Sequence, residues 1–288
     1  MKKISREELN EMLVQHELWL NDEGGKRLDL ENVDLRDADL RNTNLRNANL
    51  ECANLECANL MNTNLECANL ECASLRNANL ECANLECASL MNTNLEYANL
   101  TNTNLEYANL RSANLEYANL RYANLRYANL RNVDLRNTDL RYVNLRYADL
   151  RYADLRYADL RNADLERTNL ECVRTNHLTI GYHLACPEEG SFIGYKKAKN
   201  CLIKLLILED SKRSSATSMK CRCDKAKVLD IIDLKTDEKI DRIESDYDSS
   251  FVYKVGEIVQ VDDFDENRWN ECTTGIHFFM NKENALTY

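Results

Sequence analysis

The sequence predicts a mainly β protein organised as a solenoid, with a short helix before it and a small, separate α+β domain after it. Three observations carry this. Every fifth residue from Leu30 to Leu170 is leucine, twenty-nine in all. Residues 5–20 place apolar side chains at helical spacing. After Val173 the five-residue rhythm stops, and short apolar or alternating stretches replace it.

The repeat unit is A-(N/D)-L-X-X. A small residue stands two places before each leucine, mostly alanine (Ala48, Ala53) with some Thr or Val (Thr43, Val133). Asn or Asp stands one place before, or Ser at Ser74 and Ser89. On an α-helix five residues advance about 500°, so successive leucines drift by roughly 140° and never form a face. On a flat strand an odd period sends alternate leucines to opposite sides. All of them reach one interior only if the chain bends once per repeat, which marks a solenoid. A residue larger than Ala, Val or Thr at the small position would overpack the bore. The Asn/Asp ladder is expected to be turn chemistry, each side chain bonding nearby backbone at a bend, rather than a comb of metal ligands.

The run ANLECANLECANL resembles the pentapeptide-repeat family, and the resemblance extends over about half the chain. It implies a right-handed quadrilateral β-helix in which four repeats close a coil of twenty residues, with leucine and the small residue inside. Twenty-nine units then make about seven coils, ~35 Å long at the ~4.8 Å spacing of neighbouring strands.

A solenoid leaves unpaired backbone groups at its ends, so caps are expected. Residues 1–27 supply the first. Ser5 with Glu8 reads as a capping box and Ile4 with Leu9 as the staple around it. Leu9, Met12, Leu13, His16, Trp19 and Leu20 make an apolar stripe that Gly24-Gly25 ends. His16 is expected to be a half-buried cap residue rather than a ligand, having no second ligand near it in sequence. The solenoid is assigned to 28–173.

Residues 174–288 form the predicted α+β domain. Strands are expected at Phe192–Ala198, Cys201–Leu208, Lys220–Ile232, Phe251–Val261 and Ile276–Phe279, with a short helix at Lys282–Leu286. Thr236–Ser250 is expected to be a surface excursion, and 209–222 (EDSKRSSATSMKCR) a polar, basic loop. The stretches GYKKAKNCLIKLLI, SKRSSATSMKCRCDKAKVLDI and RWNECTTGIHFF resemble an uncharacterised domain found beside pentapeptide repeats in phage and large-DNA-virus proteins, which brings no known activity.

Composition narrows the function classes. The formal net charge of −11 argues against sequence-independent nucleic-acid binding. Neither a signal peptide nor an apolar run of membrane-spanning length is read, so a cytoplasmic location is expected, in the host cytoplasm for a viral product. Six of the twelve cysteines (Cys52, Cys57, Cys67, Cys72, Cys82, Cys87) share the repeat phase that tyrosine fills later, as filler rather than as a disulfide framework. No glycine-rich phosphate loop, H-E-x-x-H or G-x-S-x-G motif occurs, so neither catalytic residues nor a cofactor are predicted. Cys221, Cys223, Cys272 and His277 are a weak zinc set, because Cys-x-Cys at strand spacing is more often packed core. Lys212, Arg213, Lys220 and Arg222 form a candidate anion loop, against the plainer reading of a solvated loop.

The residue after each leucine carries sorted charge. From 51 to 116 nine glutamates stand against Arg76 and Arg111. From 121 to 161 the position is arginine throughout: Arg121, Arg126, Arg131, Arg136, Arg141, Arg146, Arg151, Arg156 and Arg161. Tyrosines stand beside them, Tyr147, Tyr152 and Tyr157 among them, a composition that suits a protein interface. The bland alternative is that stacked Tyr and Arg merely cover the coil. The reading is a non-enzymatic scaffold for a protein partner or for self-association. Two alternatives stay open. Some bacterial pentapeptide-repeat proteins resemble B-form DNA and inhibit gyrase, but a DNA mimic should be acidic along most of its length. An enzyme with its site wholly in 177–288 would gather His277, Cys272, Arg222 and Lys196 around a pocket.

Overall fold

The five-residue rhythm becomes a ladder of parallel bridges between residues twenty apart, from Asp29↔Asn49 to Asp149↔Asn169. Each coil is laced to the next by main-chain bonds, as where Leu50 N donates to Asn69 O (2.7 Å) and Asn69 N to Ala48 O (2.9 Å). Each corner is closed by a bond such as Ala53 N to Leu50 O (3.0 Å). The second residue after every leucine, from Asn32 to Cys172, has φ between 54° and 65°. This left-handed corner suits Asn, which visits it most readily of the non-glycine residues, and strains Cys and Tyr.

The interior follows the repeat. Every leucine from Leu30 to Leu165 is buried, and the alanines two places before join it. Burying one leucine contributes about 2 kcal/mol. Where threonine replaces alanine inside, its hydroxyl finds an acceptor: Thr63, Thr93 and Thr103 donate to Leu40 O, Leu70 O and Leu80 O at 2.9, 2.8 and 3.1 Å. The Asx ladder does the turn chemistry expected of it. Asn99 Oδ1 accepts from Thr101 N (3.2 Å), and Asn99 Nδ2 donates to Asn79 Oδ1 (3.0 Å) one coil away.

The computed structural model describes residues 1–288, and the chain divides into two units, Met1–Ile180 and Gly181–Tyr288. In the first, β1 (Lys2–Lys3) pairs in parallel with β2 (Val33–Asp34), and α1 spans Arg6–Leu20. Ser5 Oγ accepts from Glu8 N (3.0 Å) at the start of α1. His16 is wholly buried rather than half-buried; its Nδ1 accepts from Leu28 N (3.1 Å), and its ring stacks on Trp19. Gly25 (φ +78°) is required there, since a Cβ would lie 2.2 Å from Gln15 O. The bridge ladder runs beyond Val173, through Asp154↔Arg174 and Asp159↔Ile180. Backbone pairing continues where the leucine pattern has ended, so this unit reaches Ile180.

The second unit is built on an antiparallel sheet of seven strands. These are β3 (Phe192–Ala198), β4 (Cys201–Ile207), β5 (Arg213–Ser215), β6 (Lys220–Cys223), β7 (Lys225–Asp233), β10 (Ile258–Gln260) and β11 (Ile276–Phe279), in the order β10-β7-β4-β3-β11-β6-β5. β8 (Arg242–Glu244) and β9 (Val252–Lys254) form a separate pair within and after the acidic stretch, and α2 (Lys282–Thr287) closes the chain. The expected strand 220–232 is broken at Asp224 into β6 and β7. Gly194 lets β11 approach β3: a Cβ there would meet the Phe278 ring at 2.6 Å. One correction stands out. The segment 209–222 is not a solvated loop, because β5 lies in it, β6 begins in it, and all four residues of β6 are buried. No helix is long and apolar enough to cross a membrane.

Candidate functional site

Two places concentrate chemistry, each within one unit. The first is the set of outer corners of the solenoid, where side chains one coil apart stack in columns, the tyrosines on three different corners. Tyr107, Tyr127 and Tyr147 make one stack with ring centroids 4.9 Å apart, and Tyr97–Tyr117 and Tyr122–Tyr142 repeat the spacing. Arg126 lies 4.7 Å from the centre of the Tyr127 ring, and Arg146 and Arg167 lie over Tyr147. Tyr152 and Tyr157 are exposed but stack on no other ring, since Asn132 and Asn137 precede them by one coil.

The nine arginines stand in four columns around the coil, since only residues twenty apart stack, and they are divided in use. Arg136, Arg141, Arg151, Arg156 and Arg161 are each clamped by the aspartate two residues before. Arg126 and Arg146 reach Glu106 and Glu166 on adjacent coils (3.6 and 2.7 Å). For Arg121 and Arg131, Nε has no hydrogen-bond partner. Pairs this open to solvent contribute little to stability, yet they remove much of the charge that the sequence puts on the sides of these coils.

The second place is a cavity of about 540 Å³ in the C-terminal unit. β11 meets β3 at a single pair, Phe279↔Tyr195. Beyond it, Lys196 and Lys197 on β3 and Ile276 and His277 on β11 line the cavity instead. Lys220 on β6 is buried; its Nζ donates to Tyr288 Oη (2.8 Å) and to Cys272 Sγ (3.3 Å). Burial opposes its charge, and the bonds to Tyr288 and Cys272 outweigh that, so its pKa is raised. Lys196 Nζ sits 5.9 Å from the buried Tyr253 ring, and burial pulls its pKa down, with the Lys220 charge adding to the effect. His277 Nε2 faces Glu271 O at 3.2 Å; burial first, then Lys220 and Lys196, push its pKa down to about 4, so the ring is neutral near pH 7. Asp246, the acid that offsets Lys196, accepts from Lys199 N (2.7 Å).

Thus His277, Cys272 and Lys196 do come together, and Arg222 does not. Its guanidinium donates to Asp265 O, Asn267 O and Thr274 O at 2.5, 2.7 and 3.2 Å. Arg213 is held by Leu208 O, Glu209 O, Ser211 O and Gly190 O, and Lys212 pairs with Glu266. Of the four cations in the expected anion loop, Lys220 alone lines the cavity. The zinc set is split as well. Cys221 and Cys223 lie in the core, their thiols bonded to Met219 O and Ile276 O. The neighbouring Cys186 thiol drives the Cys221 pKa far up, and burial does the same for Cys223, while Cys272 stands exposed. Tyr253, Tyr288 and Asp246 had no sequence signal, because they arrive from three separate segments.

Comparison with known proteins accords with this division. Residues 29–66, 58–96, 68–106, 93–132 and 134–171 match the model of pentapeptide repeats (8 copies), and residues 182–285 match a family of unknown function (DUF5758). No curated protein matches the chain. Among solved structures, HetL from the cyanobacterium Nostoc sp. Strain PCC 7120, a pentapeptide repeat protein involved in heterocyst differentiation regulation, is 34% identical. The match covers 52% of this chain and 73% of that one, with a TM-score of 0.28. The pentapeptide repeat protein alr5209 from Nostoc is 41% identical over 30% of this chain and 71% of its own, with a TM-score of 0.30. QnrB1, a plasmid-mediated fluoroquinolone resistance protein, is 15% identical over 53% of this chain and 92% of its own, again with a TM-score of 0.30. With its leucine ladder, its twenty-residue bridges and this match, the chain belongs to the pentapeptide-repeat proteins and carries a DUF5758 domain after the repeats.

Proposed function

We propose that the solenoid is a non-enzymatic scaffold that docks a protein surface along a corner where tyrosines stack beside arginine, above all the Tyr107–Tyr127–Tyr147 column, and that a second copy of this chain is one such surface. In this reading residues 1–27 cap a right-handed, four-sided solenoid of about seven coils that begins at 28 and whose pairing runs on past 173 to Ile180, and 181–288 fold as a separate domain. One observation carries the proposal: most of the stacked tyrosines are exposed, Tyr97, Tyr107, Tyr122 and Tyr142 each near half their full accessibility while Tyr127 and Tyr147 are half-buried, and arginines lie over several of the rings. Pre-stacked aromatic rings lose little side-chain freedom on docking, and Tyr and Arg are the residues that anchor interfaces. Arg121 and Arg131 stand half a coil apart on opposite sides and pair with no aspartate two residues before. They are the cations best placed, each on its own side, to meet acids such as Glu51, Glu71 and Glu86 of another copy. A DNA-mimicking reading is less well supported, because the basic half of the solenoid interrupts the acidic run.

Light scattering on the full chain at low and high salt tests this. Arg121→Glu with Arg131→Glu is expected to abolish a salt-sensitive association, and Arg151→Glu with Arg156→Glu to weaken it less, because those arginines already face aspartates. A single mass for all variants at low salt would sink the self-docking reading.

A further inference from the structure

The cavity in the C-terminal unit is unusual for this protein in the sign of its charge. The chain carries a net −11, yet Lys196, Lys197, Lys199 and Lys220 all line this one space against Asp246 and Asp248. Two of the lysines are committed elsewhere: Lys199 to Glu244, and Lys197 to Leu286 O. The ion pairs of the unit are Lys199–Glu244, Lys212–Glu266, Lys225–Asp210, Lys239–Asp230 and Lys254–Glu257, and none involves Lys196 or Lys220. Two ammonium groups therefore share the cavity, near enough that each bears on His277, without a bonded carboxylate. For Lys196 the offsetting acid, Asp246, acts only through space. An ammonium held out of bulk water with no carboxylate bonded to it is costly, and such groups gather where a ligand supplies the charge.

The rest of the wall says what else the ligand carries. Phe251, Tyr253, Val261 and Phe279 give the cavity an apolar side, and Thr273, Thr274 and Ser245 add hydroxyls. At about 540 Å³ the space suits a small organic molecule rather than a bare ion. Neutral His277 serves as a hydrogen-bonding wall, not as a third cation.

We infer that this cavity binds a small organic anion, a carboxylate or phosphate head on an apolar body, with Lys196 and Lys220 meeting the head and the aromatic side meeting the body. Lys220 is fixed by Tyr288 and Cys272, whereas Lys196, over the Tyr253 ring, holds no bonded carboxylate that an entering anion would have to displace. The site lies wholly within the C-terminal unit, so it stands or falls apart from docking on the solenoid.

Calorimetry on the full chain with phenyl phosphate, phenylacetate, inorganic phosphate and benzyl alcohol tests the assignment. Phenyl phosphate or phenylacetate is expected to bind, the tighter of the two identifying the head group, and benzyl alcohol to bind at least about tenfold more weakly, the difference that one charge-assisted contact makes. Lys196→Met should weaken the anion by about tenfold and Lys196→Arg should restore it. Cys272, exposed at the cavity, gives a second readout. Its alkylation by iodoacetamide should slow when the anion is bound, while alkylation of the exposed Cys57 on the solenoid should not. Three results would each overturn the inference: no anion binding more tightly than benzyl alcohol, inorganic phosphate binding as well as phenyl phosphate, or Lys196→Met binding as the unchanged protein does.

Discussion

In the solenoid a residue's surroundings follow from its place in the five-residue phase, whereas in the C-terminal unit they follow from contacts that no local pattern announces. Leu100 and Leu105 are both buried because each is the phase's leucine. Lys220 and Arg222 are buried too, but in a segment whose composition reads as a solvated loop. Repetition makes neighbouring coils nearly identical, so a rule true of one holds for all of them. A single-copy domain has no such averaging, and one long-range contact can reverse what composition suggests.

The largest effect that can separate the two regions is a charge in the bore. Leu100→Asp buries a carboxylate among apolar neighbours with no cation in reach, at a cost of several kcal/mol. Because each coil is stabilised by its neighbours, the solenoid is expected to lose its structure on both sides of the change. Proteolysis followed by mass spectrometry should show cleavage throughout the repeats while peptides from 181–288 stay protected. Equal protection of repeats and C-terminal unit in this variant would break the claim that the leucine phase defines the core.

A smaller effect tests the other half of the comparison. Arg222→Ala leaves Asp265 O, Asn267 O and Thr274 O without their shared donor. Asn267 O and Thr274 O keep main-chain donors (Asn270 N at 3.2 Å and Asp265 N at 3.5 Å), so the loss falls hardest on Asp265 O and costs about 1–3 kcal/mol. Arg151→Ala, in the stripe where sequence alone would look for importance, should cost under about 1 kcal/mol, since its pair with Asp149 is exposed. Chemical denaturation of the two variants should rank them in that order, and the reverse ranking would mean that Arg222 is not structural.

These contrasts show where the sequence was legible. Period alone identified the inward leucines, and Asn/Asp chemistry identified the bends, because both are local and repeated twenty-nine times. Strands β3 and β11 are readable with their ends, since each opens on apolar or aromatic residues and lies between turn-like stretches. Strand β6 is readable as strand within 220–232, but its burial is not, because Lys220 and Arg222 alternate with Cys221 and Cys223, and the partners that satisfy them stand more than forty residues away. Of the cavity, Lys196, Cys272 and His277 were nameable by residue type, while Arg222 was assigned to it wrongly: a guanidinium can be satisfied by carbonyls as fully as by an anion. The positive φ at each corner left a trace in the recurrent asparagine, but Cys and Tyr at the same phase concealed it.

That concealment sets up the smallest and finest test. Cys82 has φ 58°, in a conformation that disfavours side chains other than Gly, Asn and Asp. One coil before and one coil after it stand Asn62 and Asn102, and farther along the same edge Asn62 Nδ2 donates to Asn42 Oδ1 at 3.2 Å. Cys82→Asn therefore relieves strain and lets an asparagine ladder run unbroken from 42 to 102. The expected gain is about 0.5–1 kcal/mol, which raises Tm by roughly 2 °C in a unit of this size. Tyr127→Asn relieves the same strain (φ 59°) but removes the ring between Tyr107 and Tyr147, each 4.9 Å away. A stacked aromatic pair contributes about 0.5–1.5 kcal/mol, so this variant should gain nothing or melt lower. If both substitutions stabilise alike, backbone strain governs the corners and the tyrosine stacks contribute nothing to folding. If they differ in the expected direction, the stacks hold the later coils together as the asparagines hold the earlier ones, and tyrosine at the left-handed corner is tolerated because its neighbours repeat it.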